Sequence, residues 1–157
     1  MTFVETARRM SAPSFMDLAL QEARAAAARG EVPVGCVIVR NGEVIARAGN
    51  RTLADCDPTA HAELLALRQA AARLGSERLT DCDLHVTLEP CTMCAAAMSF
   101  ARIRRLYYGA TDPKGGAVES GVRFFSAPTC HHRPEIYGGI GESEAAGLLR
   151  DFFRERR

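Results

Sequence analysis

Leu84-His85-Val86-Thr87-Leu88-Glu89-Pro90-Cys91-Thr92-Met93-Cys94-Ala95-Ala96-Ala97-Met98 decides the fold. Leu84 to Leu88 reads as a short strand. Pro90 opens a helix, because proline suits a first helical position, and Ala95 to Met98 propagates it. Ile103 to Tyr108 then reads as a second strand, ended by Gly109. A strand, a helix and a strand in succession imply a parallel crossover. Upstream, Ala60 to Leu74 is a predicted helix ended by Gly75, with Asp57 as N-cap and Pro58 in its first turn. Further upstream, Val34 to Val39 and Val44 to Ala46 flank Asn41-Gly42. Asn-Gly between apolar runs predicts a hairpin, because both central residues need positive φ. Phe15, Leu18, Ala19 and Glu22 start a helical pattern that runs to Arg29 and stops at Gly30. Downstream lie a Gly-rich loop over 111–121, a short strand over Glu135 to Ile140 and a terminal helix from Ser143 to Arg157. The expected architecture is α/β: a mixed five-stranded sheet, opened by an antiparallel hairpin, with helices on both faces. Residues 1–13 read as a tail and 14–157 as a single domain.

The chain of 157 residues is 47% hydrophobic and 25% charged, which fits one globular domain. No apolar run approaches ~18 residues, and Met1 to Ser14 carries no apolar signal core, so a cytoplasmic protein is expected. Lys114 is the single lysine, and the formal charge is +1. Bulk attraction to nucleic acid is therefore weak, while a local basic surface stays open. Six cysteines, Cys36, Cys56, Cys82, Cys91, Cys94 and Cys130, read as metal ligands or buried thiols in a reducing compartment.

Cys91 and Cys94 stand three apart at one helix start, so both sulfurs point to one side. His61 is placed in the first turn of the preceding helix. Thiolates are stabilised at helix N-termini, and two such termini aimed at one point suit Zn²⁺. Two thiolates and one imidazole leave the fourth tetrahedral position open, as in a catalytic site. Glu63, two residues past His61, points elsewhere than the ligand and suits a proton shuttle beside the metal. A closed, structural site would need a fourth ligand, for which Cys56, Cys82, Cys130 and His85 are available by type. A lone CxxC is weak evidence. His61-Ala62-Glu63 with Pro90-Cys91-Thr92-Met93-Cys94 is strong, and it matches the zinc nucleobase deaminase signature.

Asp57-Pro58-Thr59-Ala60-His61-Ala62-Glu63 and Val86 to Cys94 resemble the bacterial tRNA-specific adenosine deaminases. So do Glu31-Val32-Pro33-Val34-Gly35, Gly49-Asn50-Arg51, Arg102-Ile103, Gly109-Ala110 with Asp112, His132-Arg133 and Phe152-Phe153-Arg154. The resemblance implies a cytidine-deaminase-like three-layer α/β/α sandwich, a homodimer, one zinc per subunit and no organic cofactor. It implies hydrolysis of adenosine to inosine at the wobble position of a tRNA anticodon loop. Zinc-activated water would attack C6, with Glu63 as proton shuttle. Carried over by position, His61, Cys91 and Cys94 are the zinc ligands. Asn50, the backbone around Ala62 and Cys91, Asp112 and Arg154 are the expected substrate contacts. A deaminase of a free base or nucleoside, such as guanine, cytosine or cytidine, would use the same core residues.

Phe152, Phe153, Arg154, Arg156 and Arg157 interleave aromatic and basic residues. They read either as an RNA-contacting helix or as buried rings with solvated arginines. Lys114, Arg123 and Arg133 are further candidates for phosphate contact. Tyr107 and Tyr108 should face opposite sides of their strand, one of them in the core.

Overall fold

The structure, a computed structural model, describes residues 14–156. The tail expected over 1–13 lies outside the described residues, as does Arg157. Helix α1 (Phe15–Ala28) starts at a capping box in which Ser14 and Asp17 bond each other's backbone, and Gly30 follows its end at φ +84°. Strands β1 (Gly35–Arg40) and β2 (Glu43–Gly49) form the hairpin, with Asn41 and Gly42 both at positive φ. Next come α2 (Ala62–Leu74), β3 (Cys82–Leu88), α3 (Thr92–Ala101), β4 (Arg105–Ala110), β5 (Glu135–Tyr137) and α4 (Glu142–Glu155).

The strand order is β2-β1-β3-β4-β5. β1 runs antiparallel to both β2 and β3, while β3, β4 and β5 are parallel. One face packs α2 and α3 over a core that includes Ile38, Leu84, Val86, Met98 and Leu106. The other packs α1 and α4 over Val37, Val39 and Ala110. The result is the expected mixed sheet between two helical layers. Gly35 allows α1 to lie close on β1, since a Cβ there would fall 1.9 Å from the Ala19 carbonyl oxygen.

Two helix starts differ from expectation. Helix α2 begins at Ala62 with His61 as N-cap, and Asp57 instead closes a turn by accepting from Thr59 N–H and Oγ1. Helix α3 begins at Thr92 with Cys91 as N-cap, not at Pro90. In each case the strong turn former lies just ahead of the helix and shapes the entry rather than the first turn. The last strand is also shorter than expected, because Gly138 and Gly139 leave the sheet after Tyr137.

Tyr108 is buried, whereas Tyr107 faces the other layer and stacks between His85 and Tyr137, with centroids 4.5 and 5.0 Å away. The register aligns these three residues across β3, β4 and β5, and Phe15 of α1 covers His85. Burial pushes the His85 imidazole down to about 4, against the opposing pull of Asp83. The folded pKa thus lies below the unfolded value, so the unfolded chain takes the proton first as pH falls. Stability is complete above about 6.5 and declines as pH falls toward 4. In melting curves between pH 7 and 4.5, His85→Phe should flatten the acid decline relative to wild type. Parallel curves for the two proteins would refute the assignment.

Candidate active site

His61 and Cys91 both occupy N-cap positions with extended backbone, and neither side chain caps its helix. Side chains that would ordinarily satisfy helix N–H groups are therefore turned toward each other. Cys94 sits in the first turn of α3, buried beneath Cys91. His61 Nδ1 lies 3.6 Å from Cys91 Sγ and 3.7 Å from Cys94 Sγ. All three donor atoms fall within 4.8 Å of one another. A tetrahedral zinc with Zn–S near 2.3 Å and Zn–N near 2.0 Å requires S···N separations of about 3.6 Å. The cluster fits that ion in donor type and in spacing.

No fourth His, Cys, Asp or Glu joins the cluster among the described residues. Cys56 is exposed and turned to the Leu53 carbonyl, Cys82 to Asp81 and Cys130 to the His132 carbonyl. His85 is held in the aromatic stack on the opposite face. The donor set is therefore three-coordinate from protein, the arrangement of an open site.

The cluster is electrically polarised. The Cys94 hydrogen bond holds the Cys91 thiol down to about 4, with His61 adding to the effect against burial. The same bond and burial push Cys94 well above the ordinary thiol range. The Cys91 sulfur raises the His61 imidazole against burial. Two helix N-termini reinforce the preference for anionic sulfur here.

Glu63 is 4% exposed, and its carboxyl reaches Cys94 from the side. Burial pushes it up to about 7, opposed by its own backbone N–H and by His61. Beside the cluster lies a cavity of about 310 Å³ onto which His61, Glu63 and Cys91 open. Val32, Val34 and Leu88 give it apolar walls, and Asn50, Asp112 and Gly115 add polar groups. Asn50 Oδ1 accepts the Ala62 N–H at 2.9 Å, supplying to α2 the cap that His61 does not. Ala62 itself is fully buried with that amide already engaged, so its N–H is not free for a substrate. Asp112 Oδ1 accepts from Lys114 and Gly115 N–H within its own loop.

Arg154 lies outside this cavity. It borders a separate depression of about 570 Å³ with Lys114, Arg150 and Phe153. A third depression, of about 600 Å³, shares Val32, Leu88 and Asp112 with the first and Lys114 and Phe153 with the second. The two readings of the terminal helix divide between neighbours. Phe152 is 7% exposed and carries the Arg156 guanidinium 3.5 Å above its ring, while Phe153 is 49% exposed among cations. Arg123 is turned back to the Glu119 carbonyl. His132 has a structural role: Nε2 donates to the Ile103 carbonyl at 2.7 Å.

Sequence reasoning did not single out two residues beside the cavity. Glu31 and Glu89 are buried carboxylates. Both fall within stretches that carry the family resemblance, but no sequence signal assigns either one a role.

A sheet with helices on both faces, an open His/Cys/Cys donor set at two helix N-termini and a buried glutamate beside it define a zinc-dependent deaminase of the nucleobase class. The family described as the cytidine and deoxycytidylate deaminase zinc-binding region matches residues 10–110. A tRNA-specific adenosine deaminase from Agrobacterium fabrum is 68% identical over 143 residues, covering 91% of this chain and 94% of that protein. A structure from work on A-to-I editing by tRNA:A34 deaminases at the wobble position superposes with a TM-score of 0.85. It is 68% identical and covers 86% of this chain and 98% of that one. A guanine deaminase from Nitrosomonas europaea shares the fold at 25% identity, with a TM-score of 0.72, 88% of this chain and 82% of that one. The chain belongs to the zinc-binding cytidine and deoxycytidylate deaminase family, and within it to the bacterial tRNA-specific adenosine deaminases.

Proposed function

We propose that this chain hydrolyses adenosine to inosine and ammonia at the wobble position of a tRNA anticodon loop. The observation that supports the reading is that the cavity beside Glu63 shares wall residues with a neighbouring depression, which in turn shares Lys114 and Phe153 with the one bordered by Arg150 and Arg154. A free base needs only the inner cavity. A nucleotide held in a strand needs cations for the flanking phosphates and a ring for a neighbouring base, and the outer depressions offer both. The similarity to tRNA-specific deaminases points the same way.

His61, Cys91 and Cys94 would hold one zinc ion per subunit. A zinc ion there supplies Lewis acidity and lowers the pKa of a water to about 7. Glu63 would take one proton from the attacking water and pass it to the purine ring nitrogen, then take the second from the new C6 hydroxyl and deliver it to the amine, which leaves as ammonia. Asn50 has its carboxamide oxygen committed to α2, which leaves its NH₂ to donate to the nucleoside. Val34 and Leu88 flank the ring and exclude water. An unpaired loop suits such a site, because extruding a base costs least where it is not held in a duplex. No helix among the described residues is long and apolar enough to cross a membrane. A tRNA substrate supports a cytoplasmic location.

Purified enzyme incubated with an anticodon stem-loop bearing wobble adenosine should produce inosine, with free adenosine, guanine and cytosine untouched. Turnover of a free base with intact RNA would overturn the substrate assignment and keep the zinc and Glu63 roles.

A homodimer is part of the same proposal. Phe100 is 76% exposed at the edge of an apolar groove between α2 and α3, lined by Leu64, Leu67, Ala97 and others. Arg68 and Glu77 border the groove with opposite charges, which suits a two-fold contact with a second copy. The wild type should sediment as a dimer and Phe100→Asp as a folded monomer. A monomeric wild type would remove this part of the proposal.

A further inference from the structure

Two loops contribute to the lining of the catalytic cavity, and each is wound around a buried carboxylate. Glu89 is 2% exposed at the end of β3. Its Oε2 accepts the backbone N–H groups of Val118, Glu119 and Ser120 at 3.0, 3.1 and 2.9 Å. Its Oε1 accepts the Asp112 N–H and the Ser120 hydroxyl, both at 2.9 Å. The loop closes tightly on this group, since a Cβ at Gly116 would lie 2.4 Å from Glu89 Cδ. Asp112 and Gly115, from the same loop, form one side of the cavity. Glu31 is 1% exposed on the opposite side. It accepts the N–H groups of Leu53 and Ala54 at 3.1 and 2.9 Å and faces the Thr52 hydroxyl at 3.4 Å. That loop follows directly on Asn50 and contributes Thr52 to the cavity.

We infer that Glu31 and Glu89 are positioning residues for the deamination, two buried anions that fix the separation of the cavity walls and so the fit of the substrate. A buried carboxylate without a cationic partner is costly unless donors surround it, and here backbone N–H groups surround both. The arrangement therefore specifies loop conformation. Neither side chain belongs to the metal cluster, and the ligands are held independently by the starts of α2 and α3. Wall contacts act alike on bound substrate and on transition state, so their loss raises KM and spares kcat.

The inference rests on the proposed function only for the choice of substrate. The kinetics are measured on whichever substrate the wild type turns over. Gln at position 89 keeps shape but replaces one acceptor oxygen with an NH₂ group. That group faces N–H donors in either orientation. Glu89→Gln and Glu31→Gln should each raise KM by about tenfold or more, with kcat changed by less than about threefold. Zinc content should stay at wild-type level. Hydrogen exchange should quicken at Asp112 and Val118 to Ser120 in the first variant, and at Leu53 and Ala54 in the second. Gly116→Ala should reproduce the Glu89→Gln phenotype without changing charge, and it carries the test if Glu89→Gln does not fold. Faster exchange with an unchanged KM would overturn the inference, as would a loss confined to kcat or a loss of zinc.

Discussion

Glu63→Gln should leave the protein folded and zinc-loaded while lowering kcat by about 10³-fold or more, within the range for losing a positioned proton-transfer group. The amide keeps the shape of the side chain but can neither take up a proton nor deliver one to the leaving amine. Glu63 is 4% exposed, so bulk water has poor access to replace it. Its place on α2, two residues past the N-cap His61, puts it beside the donor cluster without joining it. Metal content by atomic emission should match wild type, and steady-state kinetics should show the fall in kcat. Retained activity in a zinc-loaded variant would remove Glu63 from the mechanism.

Cys94→Ala should be more severe, because it takes away one of the three proposed metal ligands. Cys94 is fully buried, and its sulfur lies 3.7 Å from His61 Nδ1. With one ligand gone, the remaining imidazole and thiolate offer two protein donors where a catalytic zinc takes three. The expected result is zinc content near zero, activity at background and a lower melting temperature. The last follows because metal that binds only the folded state stabilises it. The two variants separate the roles: one loses chemistry and keeps metal, the other loses both. A Cys94→Ala enzyme with full zinc occupancy would disprove the ligand set.

The structural-zinc alternative shows where the sequence stops short. Cys56, Cys82, Cys130 and His85 were all available by type, and only their positions in space remove them from the cluster. Ala62 illustrates the reverse. The resemblance implies an amide there lining the pocket, and in the fold the Asn50 side chain accepts that N–H. The terminal helix gives a third case. The sequence offers Phe152 and Phe153 as equivalent rings, and the packing of α4 on the sheet buries one and exposes the other.

By itself the sequence determined what depends on short-range geometry. The Cys91–Cys94 spacing sets two sulfurs on one side of a helix start, Asn41-Gly42 sets the hairpin, and alternating strands and helices set parallel crossovers. The tertiary structure decided what depends on the register of distant segments. The pairing of β1 with β3 brings the cluster's two helix starts together, and that of β1 with β2 sets Asn50 beside α2. It also provides Glu31 and Glu89 with donors from loops more than twenty residues away. Local periodicity can place a carboxylate at the end of a strand. Whether that carboxylate meets water, a cation or a ring of backbone N–H groups depends on chain packing, and that difference separates a surface charge from an anchor of the active site.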